Sequence, residues 1–346
     1  MLSGVNGQDG LIPYGWDDRV AARLAAVESP DGLPARVIAV HRGACTVTTG
    51  EAEQRARGRV VPAVGDWVSV REKDGQLTLL AVAERWSAVT RRDPEGVTQV
   101  LAANVDIVFV TAPADRLSPT RVERETVMAW DSGARPIVLL AKSDLAPASL
   151  AEDLRSRLVG VDVISTSAVT GDGMETVRAA LRPTRTAVLL GPSGAGKSSL
   201  ANVLLGADQV ATGAVRPQDR RGRHTTTARQ LLVVPTGGVL IDTPGLRSLS
   251  LTEDHGGIAA AFPDIEALAL ECRFGDCRHD QEPGCAVLAA VDAGTLDRER
   301  LASYRKLARE REYEARRDDP LAASATVRMW KARTKELRRL YRDRGS

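Results

Sequence analysis

The chain has 346 residues, 43% hydrophobic and 27% charged, with 47 Lys and Arg against 45 Asp and Glu for a net charge of +2. That length suits two or three domains, and the composition is that of a soluble globular protein rather than a disordered or fibrous one. The apolar stretches are no longer than strands and residues 1–30 lack a basic-then-apolar leader, so neither a membrane span nor a secretory signal is expected.

The first predicted elements are a short turn around Tyr14, Gly15 and Trp16 and a helix over residues 19–27. Short alternating segments follow at 35–41, 44–48, 58–61, 66–71 and 77–82, with glycine-rich turns between them. Five such strands predict a small β-barrel. Trp67 and Trp86 have the chemistry to stack on bases, but with only 3% aromatic residues in the chain the core reading is favoured. Cys45 lies in an alternating segment and is expected to be a small buried side chain.

Strands at 105–111, 137–141, 161–166, 186–190, 230–234 and 239–242 alternate with helical stretches, the pattern of a doubly wound α/β sheet. The strand at 137–141 runs into Ala141, Lys142, Ser143 and Asp144. A carboxylate at Asp144 can accept from the two N–H donors of guanine while the Lys142 stem covers the ring; adenine lacks that donor pair. A K-x-D tripeptide is a weak signal by itself. The next strand ends at Ser167 and Ala168, where a backbone amide is placed to meet the guanine carbonyl.

The strand at 186–190 feeds GPSGAGKSS: Gly191, Pro192, Ser193, Gly194, Ala195, Gly196, Lys197, Ser198 and Ser199. Strand, G-x-x-x-x-G-K-S loop and helix coincide as a phosphate-binding loop requires. Backbone amides and the helix N-terminus face the anion, Lys197 neutralises the β/γ-phosphates, and Ser198 can ligate Mg²⁺. Residues 222–227, GRHTTT, form a hydroxyl-rich stretch long enough for a switch loop. Thr226 is assigned to the metal, although three threonines also suit an edge strand. A short strand then ends in Asp242, Thr243, Pro244 and Gly245, placing a Mg²⁺-supporting carboxylate and a γ-phosphate sensor at Asp242 and Gly245. Taken alone, D-T-P-G is equally a β-turn. Leu246 stands where many GTPases carry a water-orienting glutamine, which predicts slow intrinsic hydrolysis, with His224 as the nearest candidate to orient the water.

Cys272, Cys277, His279 and Cys285 fall within fourteen residues. Three thiolates and an imidazole complete a closed tetrahedral Zn²⁺ site, structural because no position is left open; disulfides are the competing reading. Residues 298–346 hold 16 Lys and Arg against 8 Asp and Glu, whereas the rest of the chain holds 31 against 37. Leu301, Tyr304, Leu307 and Ala308 sit at helical spacing, and a second helix is predicted to carry Trp330, Leu337, Leu340 and Tyr341. A basic helical end suits a phosphate backbone such as RNA; a solvated, ion-paired helix is the alternative.

The guanine segment precedes the phosphate loop, the reverse of the order in ordinary GTPases. With these motifs in this order, the chain resembles the circularly permuted small-ribosomal-subunit biogenesis GTPases of RsgA type. The resemblance covers nearly the whole chain and rests on the rotated motif order, the G-R-H-T-T run at 222–226, D-T-P-G and the Cys/His cluster. It implies an OB-fold for the barrel, zinc at the same four residues, His224 as the water-orienting group, and the small ribosomal subunit with its rRNA as partner. One departure is Ala141, where the family's N-K-x-D motif has an amide that ties the base to the phosphate loop. Weaker nucleotide affinity is expected from that loss, without loss of guanine preference.

The expected architecture is an N-terminal extension over 1–34, a barrel over 35–89, a permuted GTPase over 90–252 and a zinc-binding, basic helical domain over 253–346. The expected activity is hydrolysis of GTP to GDP and phosphate, with Mg²⁺ and one structural Zn²⁺, in a cytoplasmic monomer that acts late in small-subunit maturation. Two alternatives stay open: an RNA-binding assembly factor in which hydrolysis is incidental, and an ATPase or nucleotide kinase sharing the phosphate loop.

Overall fold

The computed structural model describes residues 8–27, 32–93, 95, 97–206, 210, 229–242 and 256–318. His224, Thr226, Gly245, Leu246 and the predicted helix bearing Trp330 lie outside the described residues.

A 3-10 turn at Asp9–Tyr14 leads into α1 (Asp18–Ala25), whose N-terminus is capped by Asp17 accepting from the Val20 amide. The barrel is built from β1 (Leu33–His41), β2 (Ala44–Thr48), β3 (Glu53–Arg57), β4 (Trp67–Lys73) and β5 (Gln76–Val82). β1 pairs with both β2 and β4, and β3 lies parallel to β5, so the five strands close on themselves in the OB order. The third strand differs from expectation. It is Glu53–Arg57, because only Ala56 among those residues turns to the core, whereas Val60 and Val61, which suggested a strand at 58–61, are exposed.

Trp67 is buried, edge-on to Trp16, and Trp86 is half-buried with the Arg19 guanidinium 3.7 Å above its ring. Both tryptophans therefore serve the core. Cys45 is also buried, at 2% exposure.

A hairpin of β6 (Ala88–Arg92) and β7 (Thr98–Ala103), not anticipated from the sequence, links the barrel to the second sheet. That sheet contains β8 (Ile107–Pro113), β9 (Arg135–Ala141), β10 (Asp162–Thr166), β11 (Thr186–Leu190), β12 (Gln230–Val233) and β13 (Val239–Asp242). Its order is β10-β9-β8-β11-β13-β12, parallel throughout except for β12. β1 of the barrel pairs with β12 at Ala39 and Gln230, which makes the two sheets continuous.

The parallel strands are apolar on both faces, as double coverage demands. On β8, Ile107 and Phe109 pack with α4 (Met174–Leu181) and α5 (Lys197–Leu205). Val108, Val110 and Ala112 point the other way, into a core shared with α2 (Pro119–Asp131) and α3 (Ser149–Arg157). The same core extends through Ile258, Ile265, Val287, Leu301 and Leu307 of the C-terminal helices α6 (Gly257–Ala261), α7 (Pro263–Ala269), α8 (Ala286–Asp292) and α9 (Arg298–Asp318), and through Phe262 between α6 and α7.

The joint between α2 and those helices is ionic as well as apolar. Glu123, 1% exposed, accepts from Arg157 at 2.8 Å and from Arg300 at 3.5 Å. Arg300 also donates twice to Asp264, at 2.6 and 2.7 Å, and lies over the Phe262 ring. Asp131, at the end of α2, accepts from the Gly257 amide at 2.8 Å and pairs with Arg311. No described helix is long and apolar enough to cross a membrane.

Candidate nucleotide and metal sites

In an open α/β sheet, ligand-binding loops gather beyond the carboxyl ends of the strands, where the strand order reverses. Here β8 has β9 on one side and β11 on the other, and four candidate segments leave that same edge. β9 delivers Lys142 and Asp144, β10 delivers Ser167 and Ala168, β11 delivers the loop beginning at Gly191, and β13 ends at Asp242.

Gly191 has φ 144°, and a Cβ there would stand 2.3 Å from the Thr111 carbonyl oxygen, so only glycine lets β11 turn this tightly against β8. Gly196 caps α5, whose N-terminal amides open toward the loop. Lys197 Nζ donates at 2.8 Å to the carbonyls of Gly191 and Pro192. The ammonium thus folds back over the concavity that a phosphate would fill, held by its own loop. Pro192, Ser193, Gly194 and Ala195 form the intervening turn, and Ser198 and Ser199 begin the helix partly exposed. Asp242 is half-buried; burial holds its carboxyl above the ordinary value, with the Lys197 charge opposing.

The candidate base-recognition segment lies beside this loop. A Cβ on Gly196 would sit 3.8 Å from the Ala141 methyl, so the two motifs adjoin although 55 positions separate Ala141 from Gly196. Lys142 adopts φ 59° and donates to Asp115 at 2.9 Å, which holds the Asp115 carboxyl below its ordinary value. Asp144 is exposed. Ser167 is buried and accepts from the amides of Val169 and Thr170 at 3.2 Å, shaping the turn that carries Ala168. Arg116 donates to the Ser193 carbonyl at 2.9 Å. Sequence reading missed Asp115 and Arg116; their signal was position, an acid–base pair directly after a central parallel strand.

Cys272, Cys277, His279 and Cys285 bring their ligand atoms within 4.8 Å of one another. His279 takes φ 59°, turning its ring back toward the thiols; its Nδ1 lies 3.6 Å from Cys272 Sγ and 3.4 Å from Cys285 Sγ. The two sulfurs are 3.8 Å apart and unbonded. A tetrahedron with Zn–S near 2.3 Å sets neighbouring sulfurs about 3.8 Å apart, so the donor set and its spacing fit zinc. Burial lowers the His279 pKa, favouring the neutral ring that a metal requires.

Known proteins resemble this chain over most of its length. The family model described as RsgA GTPase matches residues 82–252. The small ribosomal subunit biogenesis GTPase RsgA of Streptomyces avermitilis is 45% identical, covering 94% of this chain and 92% of that one. The protein of the same name from Opitutus terrae is 44% identical over 93% and 95% of the two chains. Among solved structures, YjeQ from Thermotoga maritima superposes with a TM-score of 0.61 at 24% identity, covering 81% of this chain and 98% of that one. YloQ, described as a circularly permuted GTPase, gives 0.60 at 25% identity, over 81% and 95%.

Proposed function

The chain belongs to the RsgA GTPase family, a family of GTP-hydrolysing enzymes, and we propose that it is a GTPase stimulated by the small ribosomal subunit and acting in its late maturation. The observation that carries this reading is the adjacency of Ala141 and Gly196: the base-recognition and phosphate segments, inverted in sequence, adjoin at one sheet edge as one nucleotide needs.

In this reading the nucleotide draws Lys197 from the Gly191 and Pro192 carbonyls onto its phosphates, while the backbone amides from Gly191 to Ser199 cradle them. Asp144 accepts from the guanine ring, Lys142 covers it, and Ser167 with Ala168 supplies the amide for the guanine carbonyl. Ser198 and Thr226 would hold Mg²⁺, with Asp242 behind them and Gly245 sensing the γ-phosphate. Bound there, Mg²⁺ supplies neutralisation of the β- and γ-phosphate charge. Hydrolysis is an in-line attack by water that His224 orients. Because Leu246 offers no hydrogen bond, intrinsic turnover is slow, and a partner completing the site contributes roughly 10³–10⁵-fold.

Cys272, Cys277, His279 and Cys285 would hold one structural Zn²⁺, closing the loop between α7 and α8. The division into an extension over 1–34, a barrel over 35–89, a permuted GTPase over 90–252 and a zinc-binding, basic helical domain over 253–346 follows the same reading. The basic C-terminal end contacts rRNA, and the protein works as a cytoplasmic monomer.

The test is GTP and ATP turnover with and without purified small subunits, beside Lys197→Ala and His224→Ala. Stimulated GTP turnover that both substitutions abolish is the expected result. A preference for ATP, or turnover indifferent to Lys197→Ala, overturns the enzyme reading. Nucleotide-dependent subunit binding without stimulation supports an assembly factor in which hydrolysis is incidental.

A further inference from the structure

One nucleotide must reach from the loop after β9 to the loop after β11, so the spacing of those loops sets how well it is held. β8 runs between the two strands, and its own C-terminal turn, Ala114–Arg116, stands between the two loops. In the family this chain resembles, a side-chain amide at the position of Ala141 ties them; here a methyl 3.8 Å from the Gly196 Cβ position has no donor or acceptor to offer. The structure carries a connection by another route. Asp115 Oδ2 accepts from Lys142 Nζ at 2.9 Å on the base side. The next residue, Arg116, donates from Nη2 to the Ser193 carbonyl at 2.9 Å on the phosphate side. The same guanidinium nitrogen would stand 2.6 Å from a Cβ on Gly194, so it is seated directly on the phosphate loop. The turn itself is anchored by buried Pro113 and Ala114.

We propose that Asp115 and Arg116 are positioning residues for the guanine nucleotide, a two-residue bridge that fixes the base loop against the phosphate loop and replaces the missing amide at position 141. This rests on the GTPase reading above. Each contact alone is a solvent-exposed hydrogen bond to a charged group, and such contacts are weak in isolation. Their effect arises because they leave adjacent residues of one short, anchored turn. The Lys142 ammonium is held by Asp115 and the Ser193 carbonyl by Arg116 before ligand arrives, so less ordering remains for binding to impose. Neither residue touches the reacting phosphate in this assignment; both act through Lys142 and the loop.

The test is equilibrium binding of fluorescent GDP to the full chain, with ATP as competitor and thermal unfolding recorded in parallel. Arg116→Ala and Asp115→Asn are each expected to weaken GDP binding about three- to tenfold, the scale of one lost charge-assisted hydrogen bond, with the melting temperature unchanged. Arg116→Lys, which keeps a donor, retains most of the affinity. The diagnostic measurement is Ala141→Asn. It should restore most of the loss when combined with Arg116→Ala, and improve the parent chain less than it improves that variant, because the two ties act on the same loop spacing.

Unchanged affinity in both single variants overturns the bridge while leaving the GTPase reading intact. So does a loss that Ala141→Asn fails to restore and that is larger for GTP than for GDP, the pattern of a direct phosphate ligand. If the parent chain does not bind GDP at all, the GTPase reading falls first and this assignment falls with it.

Discussion

At the carboxyl edge of the sheet, Lys197 donates to its own loop and Asp144 lies exposed, whereas at the α2–α9 joint Glu123, Arg157, Arg300 and Asp264 pair with one another largely out of solvent. The edge holds charges that another molecule can take over. The joint holds charges that leave no capacity to spare. Substituting one member of a buried network strands its partners and is costly, while substituting a group at a ligand edge removes function with little effect on the fold.

The comparison breaks most visibly at the Cys/His cluster, which belongs with the joint. On the proposed zinc assignment, chelation or Cys277→Ser is expected to cost the loop between α7 and α8 most of its order, since metal binding supplies folding free energy that a short segment cannot replace from its own core. Metal stoichiometry and the unfolding trace check this; an unchanged trace after complete metal removal would place zinc outside the fold. Arg300→Met is expected to destabilise the chain by about 3–5 kcal/mol in urea unfolding, because Glu123 and Asp264 lose a buried cation, while GDP affinity stays within about twofold. Lys197→Ala should do the reverse, lowering GTP turnover at least about a hundredfold with stability within about 0.5 kcal/mol of the parent.

The smallest effect is the most discriminating. Burial holds the folded Asp242 carboxyl above its ordinary pKa, so its ionised form opposes folding at neutral pH, and that opposition fades as pH falls through the raised value. Asp242→Asn is therefore expected to leave the ligand-free protein as stable as the parent or slightly more stable near neutrality, with the difference shrinking on acidification. The same substitution should abolish Mg²⁺-dependent tightening of nucleotide binding. Paired unfolding and titration experiments read both signs.

The parallel strands, the strand–loop–helix at Gly191 and the convergence of the Cys/His set were legible because each is a local pattern: an apolar run between turns, glycines before Lys-Ser, soft ligands at metal spacing. The strand Glu53–Arg57 was not legible, because Ala56 is its one buried residue and its polar flanks read as loop. The β6–β7 hairpin escaped for a related reason: Thr98, Gln99 and Val100 are exposed or half-buried at its outer end, and Val89, Leu101, Ala102 and Ala103 carry the burial. Arg116 and Asp115 carry no motif at all. Their place is set by sheet order, which brings β8 between β9 and β11, and no spacing along the chain encodes that.

The pairing of Ala39 with Gln230 has a consequence for solubility. β12 is a four-residue terminal strand of the α/β sheet, and its outer row of amides and carbonyls would template association with another chain were it bare. β1 covers it, and β1 is itself enclosed by β2 and β4. Among the described residues the continuous sheet is left with β10 as its free side, a five-residue strand opened by charged Asp162 paired with Arg135. A chain shortened to begin after the barrel would uncover β12 and invite self-association, so the nucleotide-binding portion is best studied with its barrel attached.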